Sequence, residues 1–432
     1  MSILPSIPAQ LIPIIQSIWT VWAAVWWIVT PIIAAIVAWE AWLLHLHHRF
    51  ITSINWKLLE IKIPKNILKT PKAMEQIFAA AHAPYSYGIR LYDKYWKGQE
   101  EFWFSFEMVG RAGGTHFYLR VPSQFRNMME SAVYGQYPEA EITEAEDYLE
   151  EMPHIIPNDE FDVAGFEEIL RHPNYLPIRT YPMFEEAVEE HRIDTIAGLM
   201  EIMSKLREDE QMWLQLIIKP TGEAFKEEGE KAIRKILNIE EKSEKKGSLL
   251  PKLDLGFGLS DILRAPFSPP GDRAHKEEKT EKMQRFIISP GDKEITEGIS
   301  EKIAKLAFEA TVRYLIIEKK QRTSDPGYTM ALHGYMRQYN TQHLNSLKPD
   351  SATTTASYAV RGFFKQARLR WRKRLLFEHY RHILPAHHES ILNIEELATI
   401  FHFPLGVVST TELEKVESRK GSPPAGLPVI EE

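Results

Sequence analysis

The chain has 432 residues, a formal charge of −7, 44% hydrophobic and 26% charged residues, and no cysteine. That length predicts two or three domains with sizeable cores, and the near-average composition excludes a wholly disordered, collagen-like or multi-spanning membrane protein. The missing cysteine excludes disulfides, thiolate catalysis and cysteine-ligated metal centres, while mild acidity leaves any nucleic-acid contact to a local patch.

The first element is apolar. Trp19, Trp22, Trp26, Trp27, Trp39 and Trp42 are six of the eleven tryptophans, and residues 14–39 contain no charge. As a helix that run measures about 39 Å, against roughly 30 Å of hydrocarbon, so it spans a bilayer with tilt. Pro31 removes one backbone hydrogen bond and predicts a kink. The leader lacks the basic start of a secretory signal, and the apolar run is too long for one. Arg49, Lys57, Lys62, Lys65 and Lys69 follow the span, so the positive-inside rule places the C-terminal part in the cytoplasm and the N-terminus outside, as a single-pass protein of the cell membrane. His45, His47 and His48 have no carboxylate beside them and read as a solvated juxtamembrane face.

After an anchor of residues 1–50, the pattern switches between periods of 2 and 3.6. Residues 57–63 predict a strand. Thr70-Pro71 predicts a helix start, with Met74, Ile77, Phe78 and Ala81 as its stripe. Residues 102–109 and 115–121 predict strands around the loop 110–114. Ser123 opens a helix carrying Phe125, Met128, Met129, Ala132 and Val133, and 139–143 predicts a last strand. The order β-α-β-β-α-β is the ferredoxin-like split motif, assigned to residues 51–150. Residues 144–162 read as a linker, followed by a short helix near 166–170.

A second cycle covers residues 151–360: strand 176–181, helix 194–206, strand 212–219, helix 294–308, strand 311–318, helix 328–339 and strand 353–360. A charged insertion at 221–291 interrupts it. The predicted fold is therefore α+β, an N-terminal transmembrane helix followed by two ferredoxin-like units. Residues 361–432 add a basic helix, a short helix and a proline-rich tail.

No phosphate-loop, HExxH, GxSxG or kinase pattern occurs in the sequence, and Gly256-Phe257-Gly258 is only a fragment of a dinucleotide fingerprint. His387-His388-Glu389 reads as a solvated turn. No catalytic, cofactor or metal site is expected. The strongest local feature is basic: Arg361, Lys365, Arg368, Arg370, Arg372, Lys373, Arg374 and Arg381, with Trp371 among them and Glu378 the one acid. Positions 361, 365, 368 and 372 share a helical face, and Phe364, Trp371 and Leu375 form a seam suited to docking the helix. Three readings fit such a helix: a solvated face, contact with anionic lipid, or a phosphate-binding surface in which arginine and Trp371 stack on bases.

The block Ala367-Arg368-Leu369-Arg370-Trp371-Arg372-Lys373-Arg374-Leu375-Leu376-Phe377-Glu378-His379-Tyr380-Arg381, the later Leu392-Asn393-Ile394-Glu395-Glu396-Leu397-Ala398-Thr399-Ile400-Phe401-His402-Phe403-Pro404, and Leu59-Glu60-Ile61-Lys62-Ile63-Pro64-Lys65-Asn66 near the start carry a resemblance. Together they resemble the membrane-anchored region that precedes the motor domain in conjugation-type ATPases of type IV secretion systems. The resemblance implies a non-catalytic, membrane-anchored subunit that docks a P-loop ATPase on a separate chain. Its other candidate partners are DNA and a second copy of itself. A stand-alone, membrane-tethered nucleic-acid-binding protein is the alternative.

Overall fold

The computed structural model describes residues 12–64, 69–85, 89–184, 194–222, 224–237, 289–320, 327–360 and 362–404. In chain order the elements are α1 (Ile12–Ser53), β1 (Trp56–Lys62), α2 (Lys72–Ala81), α3 (Leu91–Lys97), β2 (Phe104–Arg111), β3 (Gly114–Pro122), α4 (Arg126–Gln136), β4 (Glu141–Glu144) and β5 (Phe161–Leu170). There follow α5 (Ala197–Ser204), β6 (Glu210–Pro220), α6 (Ala224–Ile236), α7 (Pro290–Ile303), β7 (Ala307–Lys319), α8 (Gly327–Met336), β8 (Leu347–Pro349), α9 (Lys365–Arg381), β9 (Ser390–Asn393) and α10 (Ile394–Ile400). The fold is α+β, with an apolar N-terminal helix and an antiparallel sheet.

The described strands form one nine-stranded sheet in the order β4-β1-β3-β2-β6-β7-β5-β8, with β9 paired to β7. Every ladder is antiparallel. Each half pairs its first strand with its third and fourth and its second with its third, and the halves join where β2 meets β6.

Alternation along the central strands explains why the sheet is covered on both sides. Phe104, Phe106 and Met108 of β2, Met212, Leu214, Leu216 and Ile218 of β6, and Phe308, Val312, Tyr314 and Ile316 of β7 enter one core. The stripes of α2 (Met74, Ile77, Phe78), α4 (Met129, Val133), α5 (Leu199, Met200, Met203), α8 (Leu332, Tyr335, Met336) and α10 (Leu397, Ala398, Ile400) cover it. The other face carries Val109, Trp213, Leu315 and Ile317, closed over by Leu376, Phe377 and Tyr380 of α9 and by Tyr148, Leu149, Met152 and Ile156.

The helix α1 runs 42 residues, about 63 Å at 1.5 Å per residue. It includes Pro31 and continues well past the apolar run. It is long and apolar enough to cross a membrane. Its last turn belongs to the body: Phe50 and Ile51, with Ile54 and Trp56 just beyond, pack on a small core of Trp103, Ile217 and Ile383.

Three predicted elements of the second cycle differ from the structure. Residues 161–170, read as the end of a linker and a short helix, form the long strand β5. Residues 176–181, read as a strand, join no sheet, because their N–H groups find other partners. Ile178 donates to Glu396 Oε1, Tyr181 to Thr399 Oγ1 and Arg179 to the Tyr339 carbonyl, each at 2.9 Å. The fourth strand of this half is residues 347–349, not 353–360. Residues 353–355 lie beside β5 instead and bond it through hydroxyls, Thr355 Oγ1 accepting from Gly165 N at 2.8 Å and Thr353 Oγ1 from Glu167 N at 3.2 Å. Within the insertion predicted at 221–291, α6 packs against α7, and residues 238–288 lie outside the described residues, as does the proline-rich tail from 405 onward.

Candidate functional site

The basic helix exists, and its docking seam is not the predicted one. Leu376, Phe377 and Tyr380 are buried on the sheet, whereas Phe364 and Trp371 are 84% and 62% exposed. Leu376, Phe377 and Tyr380 share a stripe at helical spacing, so this side of α9 turns inward and the neighbouring side outward. At the N-terminal end Phe364 adopts φ 57°, a left-handed conformation that bulky side chains rarely take, and Phe363 beside it is 90% exposed. The strained residue turns two aromatic rings into solvent.

The turned-out side faces an open groove of about 700 Å³ lined by Gln366, Ala367, Leu369, Arg370, Trp371, Lys373 and Arg374 of the helix and by Pro157, Asp162 and Lys320 across it. Asp162 is neutralised by Lys373, whose Nζ lies 2.7 Å from Oδ2. Arg370 and Arg374 have no ion-pair partner among the described residues, so the groove keeps a net positive lining around one exposed indole. Such a groove can hold an anionic polymer by charge and stack a planar group on Trp371.

The other predicted residues divide. Lys365 and Arg368 are exposed in the first turn of α9. Arg372 donates to the carbonyls of Ser351, Thr354 and Ala359 at 2.9, 3.3 and 3.4 Å, so it fastens the helix to the loop before it. Arg381 reaches the Pro153 carbonyl at 3.4 Å. Arg361 lies outside the described residues. The face expected from 361, 365, 368 and 372 is thus split between solvent and structural contacts, and the groove uses 366, 370 and 374 with 367 and 371. Phe363, Gln366, Pro157, Asp162 and Lys320 were not foreseen, and Phe364, expected in the docking seam, faces solvent instead.

In α1, Trp22, Trp26, Trp27 and Trp42 have exposed side chains. Trp19 is described only by its backbone, and Pro31 sits within the helix. Trp39 meets Tyr95 and Trp96 at ring centroid distances of 6.2 and 6.4 Å. His47 lies 3.5 Å from Glu100, and Glu389 pairs with Lys219 at 3.5 Å. Among the described residues no group of three metal-capable side chains converges.

Under α9 lies a polar row that the sequence reading missed. Pairing register sets Tyr118, Glu107, Gln215, Arg313 and Glu167 side by side across β3, β2, β6, β7 and β5. Glu107 accepts from Arg120 Nε at 3.1 Å and from Tyr148 Oη at 2.8 Å. Gln215 Nε2 donates to Glu107 at 3.3 Å and Gln215 Oε1 accepts from Arg313 at 2.6 Å; Arg313 Nε then meets Glu167 Oε1 at 2.8 Å. Tyr148 and Tyr380 share a hydroxyl contact at 2.7 Å, and Arg313 also donates to the Leu384 carbonyl at 2.9 Å. Burial opposes the charge of Arg120, but Glu107 and Asp147 more than reverse this and hold it well above its ordinary value. Burial, reinforced by Glu107, keeps both tyrosines protonated. The row is a closed network of donors and acceptors that seats α9 on the sheet.

The C-terminal motif Asn393 to His402 closes the fold in the same manner. Asn393 caps α10 through a reciprocal capping box with Glu396. Glu396 forms a fully buried pair with Lys302 at 3.1 Å, and burial lowers the pKa of Lys302 despite that partner. His402 Nε2 lies 2.9 Å from Asp194.

The model of a family described as a domain of unknown function (DUF8128) matches residues 48–415. No curated protein matches the chain.

Proposed function

Because the chain belongs to the DUF8128 family from the foot of α1 through α10, we propose that the family's body is a membrane-anchored, non-catalytic docking subunit. In this reading it serves a type IV secretion or conjugation-like translocation apparatus, working beside a P-loop ATPase supplied by another chain. The observation that carries the proposal is the groove on α9, positively lined and floored by an exposed indole, in a body built onto an apolar helix of spanning length. The motif likeness to the region preceding conjugation-type motors supports the assignment to such an apparatus. The basic residues that follow α1 support a cytoplasmic body and an external N-terminus. The strand order repeated in the two halves, with α2 and α4 over the first and α5 and α8 over the second, supports reading each as a ferredoxin-like unit.

The groove is the nucleic-acid contact in this proposal. The full chain in nanodiscs is expected to bind single-stranded DNA with an affinity that falls steeply with salt. Replacing Arg368, Arg370 and Arg374 together by alanine lowers the slope of log affinity against log salt by up to about 2 units, at roughly 0.7 per single-strand phosphate contact. An unchanged slope removes DNA from the groove. Co-purification from solubilised membranes tests the other half: repeated absence of a P-loop ATPase leaves only the tethered nucleic-acid-binding reading.

A further inference from the structure

The short helix α3 has the sequence Leu-Tyr-Asp-Lys-Tyr-Trp-Lys and buries none of its residues. Leu91, Tyr92 and Trp96 are 63%, 62% and 57% exposed, an unusual concentration of open apolar surface for two turns of helix. Yet α3 is held firmly. Tyr95 and Trp96 pack on Trp39 of α1, and Gly98, in a left-handed conformation at φ 64°, ends the helix against the backbone of Leu46. A Cβ at Gly98 would sit 2.5 Å from the Leu46 carbonyl carbon, so only glycine permits this approach.

The position along α1 gives the exposed face its meaning. The charge-free run ends at Trp39, and Glu40 is the first carboxylate. Trp22 and Trp39 are separated by about 26 Å along the helix, close to the roughly 30 Å of hydrocarbon. Trp39 therefore marks the depth at which acyl chains give way to headgroups, and α3 is clasped to that residue. Tryptophan and tyrosine are the side chains that favour this depth. The ammonium groups of Lys97 and Lys94 lie over the rings of Tyr92 and Tyr95, 5.7 and 5.8 Å from the centroids, and lysines beside aromatic rings suit a membrane interface. With Arg90 they outnumber Asp93, which Lys97 contacts at 2.6 Å.

We propose that α3 is a lipid-binding collar: its Leu91–Tyr92–Trp96 face inserts at the acyl–headgroup boundary of an anionic leaflet and fixes the depth of the body on α1. The proposal rests on reading α1 as a membrane span. The absence of cysteine allows clean single labels. Leu91→Cys, Val25→Cys and Phe363→Cys are made in the full chain, labelled with an environment-sensitive nitrobenzoxadiazole dye, and placed in nanodiscs of phosphatidylcholine and phosphatidylglycerol.

The expected result is loss of most emission at position 91 with lipids doxylated near the headgroup and little loss with aqueous iodide. Position 25 responds to lipids doxylated deep in the chain, and position 363 to iodide alone. Adding Trp96→Glu to the Leu91→Cys chain exposes the label to iodide while helicity by circular dichroism is retained. Iodide quenching at position 91, or protection there from both quenchers because a second copy or another protein covers α3, overturns the collar while the signal at position 25 leaves the span standing. Failure of the deep quencher at position 25 removes the span and the collar together.

Discussion

Glu168 lies on β5 one residue after Glu167, yet the two live under opposite conditions. Glu167 meets Arg313, whereas Glu168 is 3% exposed and its Oε2 has no hydrogen-bond partner. Burial pushes the Glu168 carboxyl up to about 8. Between the ordinary carboxylate range and that value the folded chain holds a proton that the unfolded chain has released. The stabilisation is complete in acid and is lost as pH rises towards 8. Glu168→Gln keeps the neutral form at all pH, so the variant melts above the parent near about pH 9 and with it near about pH 5; parallel melting curves across that range refute the assignment. Arg313 makes the opposite case. Its removal by Arg313→Ala leaves Glu167 buried and unpaired and Gln215 without a donor, and costs about 3–5 kcal/mol in chemical denaturation. A loss below about 1 kcal/mol would mean that water already reaches the row.

At the scale of elements, the first half was legible and the second only in part: β6, β7, α5, α7 and α8 fall where the pattern placed them, whereas β5 does not, for a reason visible in its sequence. Strands β1 to β4 and helices α2 and α4 take most of their partners within one stretch of chain, so alternation, loop glycines and helix stripes point to one answer. The sequence Phe161-Asp-Val-Ala-Gly-Phe-Glu-Glu-Ile-Leu170 reads as the end of a linker and a short helix, because its adjacent glutamates break the alternation of a buried strand. What buries them is Arg313, far along the chain on β7, and a retained proton, and neither has a local signature. Residues 176–181 erred the other way: their alternation is real, but side chains of α10 supply the bonds that a neighbouring strand would have given. For the candidate site, the basic charge of α9 was plain, while its orientation depended on which stripe the sheet would accept. The motif at Asn393 drew notice through resemblance, and its physical role is closure. Asn393→Ala removes the cap of α10 and costs about 1 kcal/mol, read as a lower denaturation midpoint at unchanged m-value; no shift would mean that the packing of Leu397 and Ile400 alone holds the helix.

Across the whole molecule, the ladder between β2 and β6 joins the halves through seven residue pairs, from Phe104 with Ile218 to Gly110 with Met212. Core residues of both halves belong to one cluster, and α10, from the end of the described chain, packs on α2 from its beginning. Such a body unfolds cooperatively. Calorimetry of the chain in detergent should therefore give one transition for the sheet, and two resolved transitions would show that the halves are separate domains. The joint beside α1 has a mechanical consequence. Trp103 Nε1 donates to the Ile383 carbonyl at 2.9 Å, just past the C-terminal end of α9, and Phe50 and Ile51 of α1 pack on the same small core. A load applied at the groove runs down the 17-residue shaft of α9, about 25 Å, and passes through this joint to the root of α1. The short outer strands β4 and β8 lie off that line, so a pull between groove and bilayer strains a helix and a tryptophan joint before it peels the sheet.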